Sequence, residues 1–190
     1  TLASFDLVLV VNGDSKFGSL ADMLAFARSN PGKLNFGTIN PGSTQHLSAE
    51  LFKSVTGVNA QTVPYKGTPD LIVALRGNSI DVGYEFLPAV LPQIKANSLK
   101  ALGMASAKRF PGLPATPTIA EGGVANFQVS SWNGVSVRAD TPRAIVERLN
   151  KEIVAALNSS EVRQQLQELG AESRPSTIKE ARELMVSEIA

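Results

Sequence analysis

The chain has 190 residues, enough for one large domain or two small lobes. Its 18 basic and 17 acidic residues leave a formal net charge of +1 and form no basic stripe, so nothing points to nucleic acid, and an anionic ligand must be held by local dipoles. There is no cysteine, which excludes disulfides, thiolate metal sites and a cysteine nucleophile.

The run LVLVV at residues 7–11 reads as a strand buried on both faces. It is far too short to span a membrane and lacks the flanks of a signal peptide. Ser19 and Asp22 have capping-box spacing, and the helix they start should bury Leu20, Met23, Leu24 and Ala27. A strand at 34–37 leads through Gly37, Asn40, Pro41 and Gly42 into a helix opening at Ser43 or Thr44. That helix carries Leu47, Leu51, Phe52 and Val55 at helical spacing, with Gly57 as a left-handed cap. A strand at 60–63 follows, then a helix with Pro69 in its first turn and Leu71, Ile72 and Leu75 inward. A strand at 80–84, a helix at 88–96 burying Val90, Leu91 and Ile94, and a strand at 99–104 complete the alternation. Alternating strands and helices predict an α/β fold with a mostly parallel sheet.

Around residue 105 the character changes. Residues 110–117 hold three prolines and a glycine and read as an irregular connection, followed by a short helix near Ile119 ending at Gly122 and Gly123. Residues 128–137 are extended and contain the sole tryptophan, Trp132. Thr141 and Pro142 read as the start of a long helix with Ile145, Leu149, Ile153 and Leu157 on one stripe. Ser160 is read as the cap of a further helix ending at Gly170, and Ser176 or Thr177 as the cap of a last one with Ile178, Ala181, Met185 and Ile189 inward. Residues 12–104 therefore form one complete α/β lobe, and residues 105–190 a second, incomplete one. The open stripes of the latter predict a homodimer.

A glycine turn feeding a helix start leaves unpaired N–H groups and a partial positive charge, which suits a carboxylate or phosphate. Residues 34–47 are such a unit. Ser43 is read as the cap, and His46, the only histidine, as bonding the turn or the ligand. Tyr65 follows a strand end, where α/β folds bind ligands. Ser43, His46 and Asp81 are the raw material of a hydrolytic triad, but there is no nucleophile elbow around Ser43, so an enzyme is not expected. No metal ligand set or cofactor motif is visible.

Three stretches carry a family resemblance: PGKLNFG at 31–37, GSTQHLSAELF at 42–52 and VPYKG at 63–67. LPAVLP at 87–92, SAKR at 106–109, LPATPT at 113–118, SW at 131–132 and TP at 141–142 continue it in order. The series resembles the Bug family, the substrate-binding proteins of tripartite tricarboxylate transporters. The resemblance implies a periplasmic protein with a periplasmic-binding-protein-like fold, without a cofactor, that binds a small organic acid or amino acid and delivers it to membrane transporter components. It implies that carboxylates are held by backbone N–H groups at helix N-termini, here by Thr38, Asn40, Gly42, Ser43, Thr44 and His46, with Tyr65 close by. The chain opens well inside the family pattern and resembles an N-terminally incomplete member, with one wall of the cleft absent. Glu85 and Phe86 stand where members often carry Asp and Asn, in a loop that helps choose the substrate. Glu85 would repel a second carboxylate or accept from an amine or hydroxyl, and Phe86 would favour an apolar body. A cytoplasmic effector-sensing domain of a LysR-type regulator, similar in architecture and length, is the alternative.

Overall fold

The computed structural model describes residues 1–189. Its elements are β1 (Ala3–Asn12), α1 (Leu20–Ser29), β2 (Leu34–Ile39), α2 (Thr44–Thr56), β3 (Ala60–Tyr65), α3 (Thr68–Arg76), β4 (Val82–Phe86), α4 (Leu87–Lys95) and β5 (Leu99–Met104). Then come β6 (Ser130–Asn133), α5 (Arg143–Asn158), α6 (Ser160–Glu168), β7 (Ala171–Ser173) and α7 (Ile178–Ile189). They fall into a larger unit, residues 6–130, and a smaller one made of residues 1–5 and 131–190.

In the larger unit the strand order is β3-β2-β4-β1-β5. β2 runs parallel to β3 and β4, while β1 is antiparallel to β4 and β5. Four strands thus share one direction and β1 opposes them. Residues 7–11 are completely buried because both faces of the sheet are covered. Leu7, Leu9 and Val11 join Met23, Phe36, Phe52 and Tyr84 under α1 and α2. Val8 and Val10 join Leu71, Leu75, Leu87 and Val90 under α3 and α4. Ser19 caps α1 by accepting from the Asp22 N–H at 3.1 Å, and the four expected side chains are its buried face. Gly37 and Gly83 stand side by side in β2 and β4. A Cβ on Gly37 would lie 2.1 Å from Ile80 Cδ1 and 2.5 Å from Leu71 Cδ1, so in this packing the terminal methyls of Ile80 and Leu71 fill the space that the glycine leaves.

Three expectations need correction here. Residues 105–130 do not begin a second lobe: Ala105, Ile119, Val124 and Phe127 are buried in the same core as Leu7 and Phe52. The division lies at 5/6 and 130/131 instead, and residues 6–11 belong to the larger unit. The short helix near Ile119 is a pair of turns, in which Thr118 and Glu121 exchange capping bonds with no helix behind them. Finally, α2 buries Gln45, Ser48, Ala49 and Phe52, leaving Leu47, Leu51 and Val55 exposed.

The outer side of α2 is tied to the edge strand β3. Glu50 Oε1 accepts from Lys53 Nζ at 2.8 Å and from the Thr62 hydroxyl, and Lys53 also donates to Thr62 Oγ1 at 2.8 Å. The Lys53 hydrogen bond, followed by that from Thr62, holds the Glu50 carboxyl below its ordinary pKa. A depressed carboxylate stabilises the fold fully above its unfolded-state pKa, and the contribution is lost as pH falls through the folded one. Glu50 is partly exposed, so Glu50→Gln should cost only about 0.2–1 kcal/mol at neutral pH and nothing in acid. Urea midpoints at the two pH values check this.

In the smaller unit, Ala3, Ser4 and Phe5 of β1 pair antiparallel with β7, and the Leu2 N–H donates to Asn133 O at 2.8 Å. The three-residue strand β7 is too short to show in a periodicity. α5 begins after Pro142, which itself stands at the cap position, so Thr141 lies one residue too early to cap it; the Thr141 N–H bonds Arg138 O at 3.1 Å. Its stripe is graded: Leu157 is buried, Ile153 half-buried, and Ile145 and Leu149 exposed. α6 is capped by Ser159, not Ser160, whose backbone is already helical. A Thr177–Glu180 capping box opens α7. Ile178, Ala181 and Leu184 are half-buried, Met185 is exposed, and the Ile189 side chain lies outside what is described.

Candidate functional site

The carboxyl ends of β2, β3 and β4 carry the N-termini of α2, α3 and α4, the edge at which open α/β sheets bind ligands. Ile39 pairs with Tyr65 in register, and the Asn40 N–H continues the ladder to Tyr65 O at 3.0 Å. Gly42 then turns the chain with a φ of 83°, a left-handed conformation that glycine adopts without penalty.

Most donors of this turn are consumed internally. The Ser43 N–H bonds Asn40 O at 3.0 Å. The Ser43 hydroxyl donates to Ile39 O at 2.8 Å and accepts from the His46 N–H at 3.1 Å. His46 Nδ1 accepts from the Gly42 N–H at 3.3 Å, so the imidazole closes the turn. The N–H groups of Thr44 and Gln45, at the first two helical positions, are given to no acceptor among the described residues. The first turn of α2 contains no acidic residue that would neutralise the helix end.

Glu85 is directed inward rather than into an open site. It is 1% exposed and its carboxylate accepts from Gln45 Nε2 at 2.6 Å, the Thr68 hydroxyl at 2.6 Å and the Phe86 N–H at 2.8 Å. It therefore clamps the first turn of α2 to that of α3 across the end of β4. Neither Gln45 nor Thr68 stands out in the sequence as a site residue. The available signal was that a buried carboxylate needs donors, and first-turn polar residues of neighbouring helices can supply them.

The other expected residues lie along the same edge. Asn40 and Gly42 are exposed, while Ser43, Thr44, His46, Tyr65 and Phe86 are half-buried. Tyr65 packs against the core under α3, and Phe86 against the core under α2. Thr38 is fully buried one residue before the strand ends, with its hydroxyl unpartnered, as is that of Tyr84. Burial pushes the Tyr84 phenol well above its usual pKa. No triad forms. Asp81 accepts from the Asn35 N–H at 2.9 Å, at the other end of β2, and Asn35 to Ile39 is roughly 13 Å of strand. Among the described residues no three His, Cys, Asp or Glu side chains are placed to hold a metal ion, and no helix is long and apolar enough to cross a membrane.

Residues 1–189 match the model of the tripartite tricarboxylate transporter family receptor, TctC. The chain is 38% identical over 169 residues to the UPF0065 protein in the tcbD-tcbE intergenic region of Pseudomonas sp. strain P51, covering 88% of this chain and 50% of that protein. It is 36% identical over 183 residues to BugT of Bordetella pertussis, covering 96% and 56%. The chain thus spans about half the length of the curated relatives it matches. Among solved structures it is similar to R. palustris Rpa4515 with adipate, with a TM-score of 0.91 and 36% identity, covering 99% of this chain and 63% of that one. It is also similar to MatC (Rpa3494) from Rhodopseudomonas palustris with bound malate, with a TM-score of 0.76 and 28% identity, covering 90% and 58%.

Proposed function

Because the chain belongs to the tripartite tricarboxylate transporter receptor family, we propose that it acts as an extracytoplasmic solute-binding receptor. Its ligand is a small carboxylated metabolite, delivered to the membrane components of such a transporter in the periplasm. The relatives with bound adipate and malate support the ligand class. The larger unit supplies one wall of the site, and no reaction is assigned to it.

The observation that carries this reading is the pair of uncommitted N–H groups at Thr44 and Gln45, on a helix end without an acid of its own. A carboxylate there accepts two backbone hydrogen bonds and interacts favourably with the helix dipole. No buried arginine is needed, because the donors are aimed by the backbone.

Thr44→Pro tests it directly. Proline is well accepted at the first helical position, and Ser43 before it already has φ −66° and ψ 160°, the conformation a proline requires of its predecessor. The variant deletes one donor and leaves the fold in place. Adipate titrated into the labelled protein should shift the Thr44 and Gln45 amide resonances. Thr44→Pro should weaken binding about tenfold or more, the loss of one hydrogen bond to a charged group, with the melting temperature unchanged. Shifts concentrated elsewhere, or unaltered affinity in the variant, would overturn the reading.

A further inference from the structure

Resting on that carboxylate reading of α2, we propose that Glu85 sets the charge pattern of the ligand. It makes this wall selective for an isolated carboxylate and disfavours ligands that place a second carboxylate close to the first.

Among the described residues Glu85 is the one charged residue that is buried. Its two oxygens take three hydrogen bonds: Oε1 from the Gln45 amide and the Phe86 N–H, and Oε2 from the Thr68 hydroxyl. Its carboxylate meets the N-termini of three helices that are not equivalent: it accepts the N–H of Phe86, the cap of α4, and so is itself the acid at that end, whose first turn also holds a proline. α3 has Asp70 in its first turn and gives its Thr68 hydroxyl to Glu85, so two protein carboxylates already compensate that end. α2 has none, and only its N–H groups remain for an external anion. Gln45 joins the two sites: its backbone N–H faces the ligand position and its side-chain amide is held by Glu85. The bound carboxylate is therefore one glutamine side chain away from a fixed like charge with little water to screen it.

A single carboxylate gains the α2 dipole and two hydrogen bonds against that repulsion. A second carboxylate one or two carbons away finds the other two helix ends, those of α3 and α4, already served by protein carboxylates, and it approaches Glu85. The favoured class is a linear acid whose second carboxylate is several methylenes distant, or whose near substituents are neutral or donate hydrogen bonds.

Glu85→Gln separates charge from geometry. The amide oxygen keeps the bonds from Gln45 and Phe86, and the amide nitrogen donates to the Thr68 oxygen after the hydroxyl turns round. In the natural protein adipate should bind at least about tenfold more tightly than citrate, read from the Thr44 and Gln45 amide shifts. In Glu85→Gln the two should come within about threefold, through a gain for citrate. A second measurement needs no variant: across adipate, glutarate, succinate and malonate, affinity should fall steadily as the carboxylates approach. A flat series, or a citrate-to-adipate ratio unmoved in Glu85→Gln while both ligands shift those amides, overturns the role of Glu85 and leaves the carboxylate reading standing. If neither ligand shifts those amides in the natural protein, both fall.

Discussion

Replacing Phe52 by alanine should destabilise the larger unit by about 3–5 kcal/mol, the range for deleting a buried aromatic ring. Phe52 is completely buried on the inner face of α2. Its ring centroid lies 5.8 Å from that of Phe36, 6.1 Å from Tyr84 and 5.6 Å from Phe127, the last pair nearly perpendicular at 83°. It therefore joins a helix, two strands and the irregular segment after β5, and no single neighbour can collapse into the hole. Such edge-to-face pairs add to the loss from area alone. Urea unfolding followed by amide exchange checks the size of the effect. It also checks its reach, because Phe127 should lose protection together with β2 and β4. A loss below 2 kcal/mol, or a response confined to α2, would mean that residues 105–130 do not share this core.

The second large effect is expected at Glu85, and it depends on the replacement. Glu85→Ala removes an acceptor that takes three hydrogen bonds and leaves the buried amide of Gln45 without a partner. Hydrogen bonds to charged groups are individually worth about 1.5–3 kcal/mol, and a buried donor left unpaired adds its desolvation cost. A loss of about 3 kcal/mol follows, partly relieved where Thr68 turns its hydroxyl to solvent. Glu85→Gln should cost less than about 1.5 kcal/mol, since the amide can satisfy the same groups. Chemical denaturation of the two variants side by side is the measurement. Equal losses would show that the charge itself, and not the bonding pattern, holds the helix ends together.

The sequence was most legible where local and global preferences agree. In α1 the cap, the apolar periodicity and the closing Asn30 all point to one helix, and its buried face is the expected one. β5 occupies the expected residues. α2 shows the opposite case. Leu47, Leu51 and Val55 form an apolar stripe by spacing, yet the helix turns polar Gln45 and Ser48 inward. Those two are tolerated because Ser48 bonds back to Thr44 O at 2.6 Å and Gln45 finds Glu85. The partner of Gln45 cannot be read from helical periodicity, since Glu85 comes 40 residues later in the chain. For the same reason the turn at residues 40–44 was visible in advance while the clamp behind it was not. Residues 105–130 stayed illegible for another cause: a segment without periodicity gives no sign that it buries Ile119, Val124 and Phe127.

The adjacent glycines of β2 and β4 bear on the clamp itself. Gly37 and Gly83 present bare backbone to Leu71, Leu75 and Ile80, so they act as a spacer of almost no thickness between sheet and helix. Threonine is a short side chain, and its hydroxyl meets a carboxylate rooted in β4 only when α3 rides low over the strands. The two missing side chains in mid-sheet, whose space the Leu71 and Leu75 side chains of α3 fill, thus bear at the strand ends on how near Thr68 comes to Glu85.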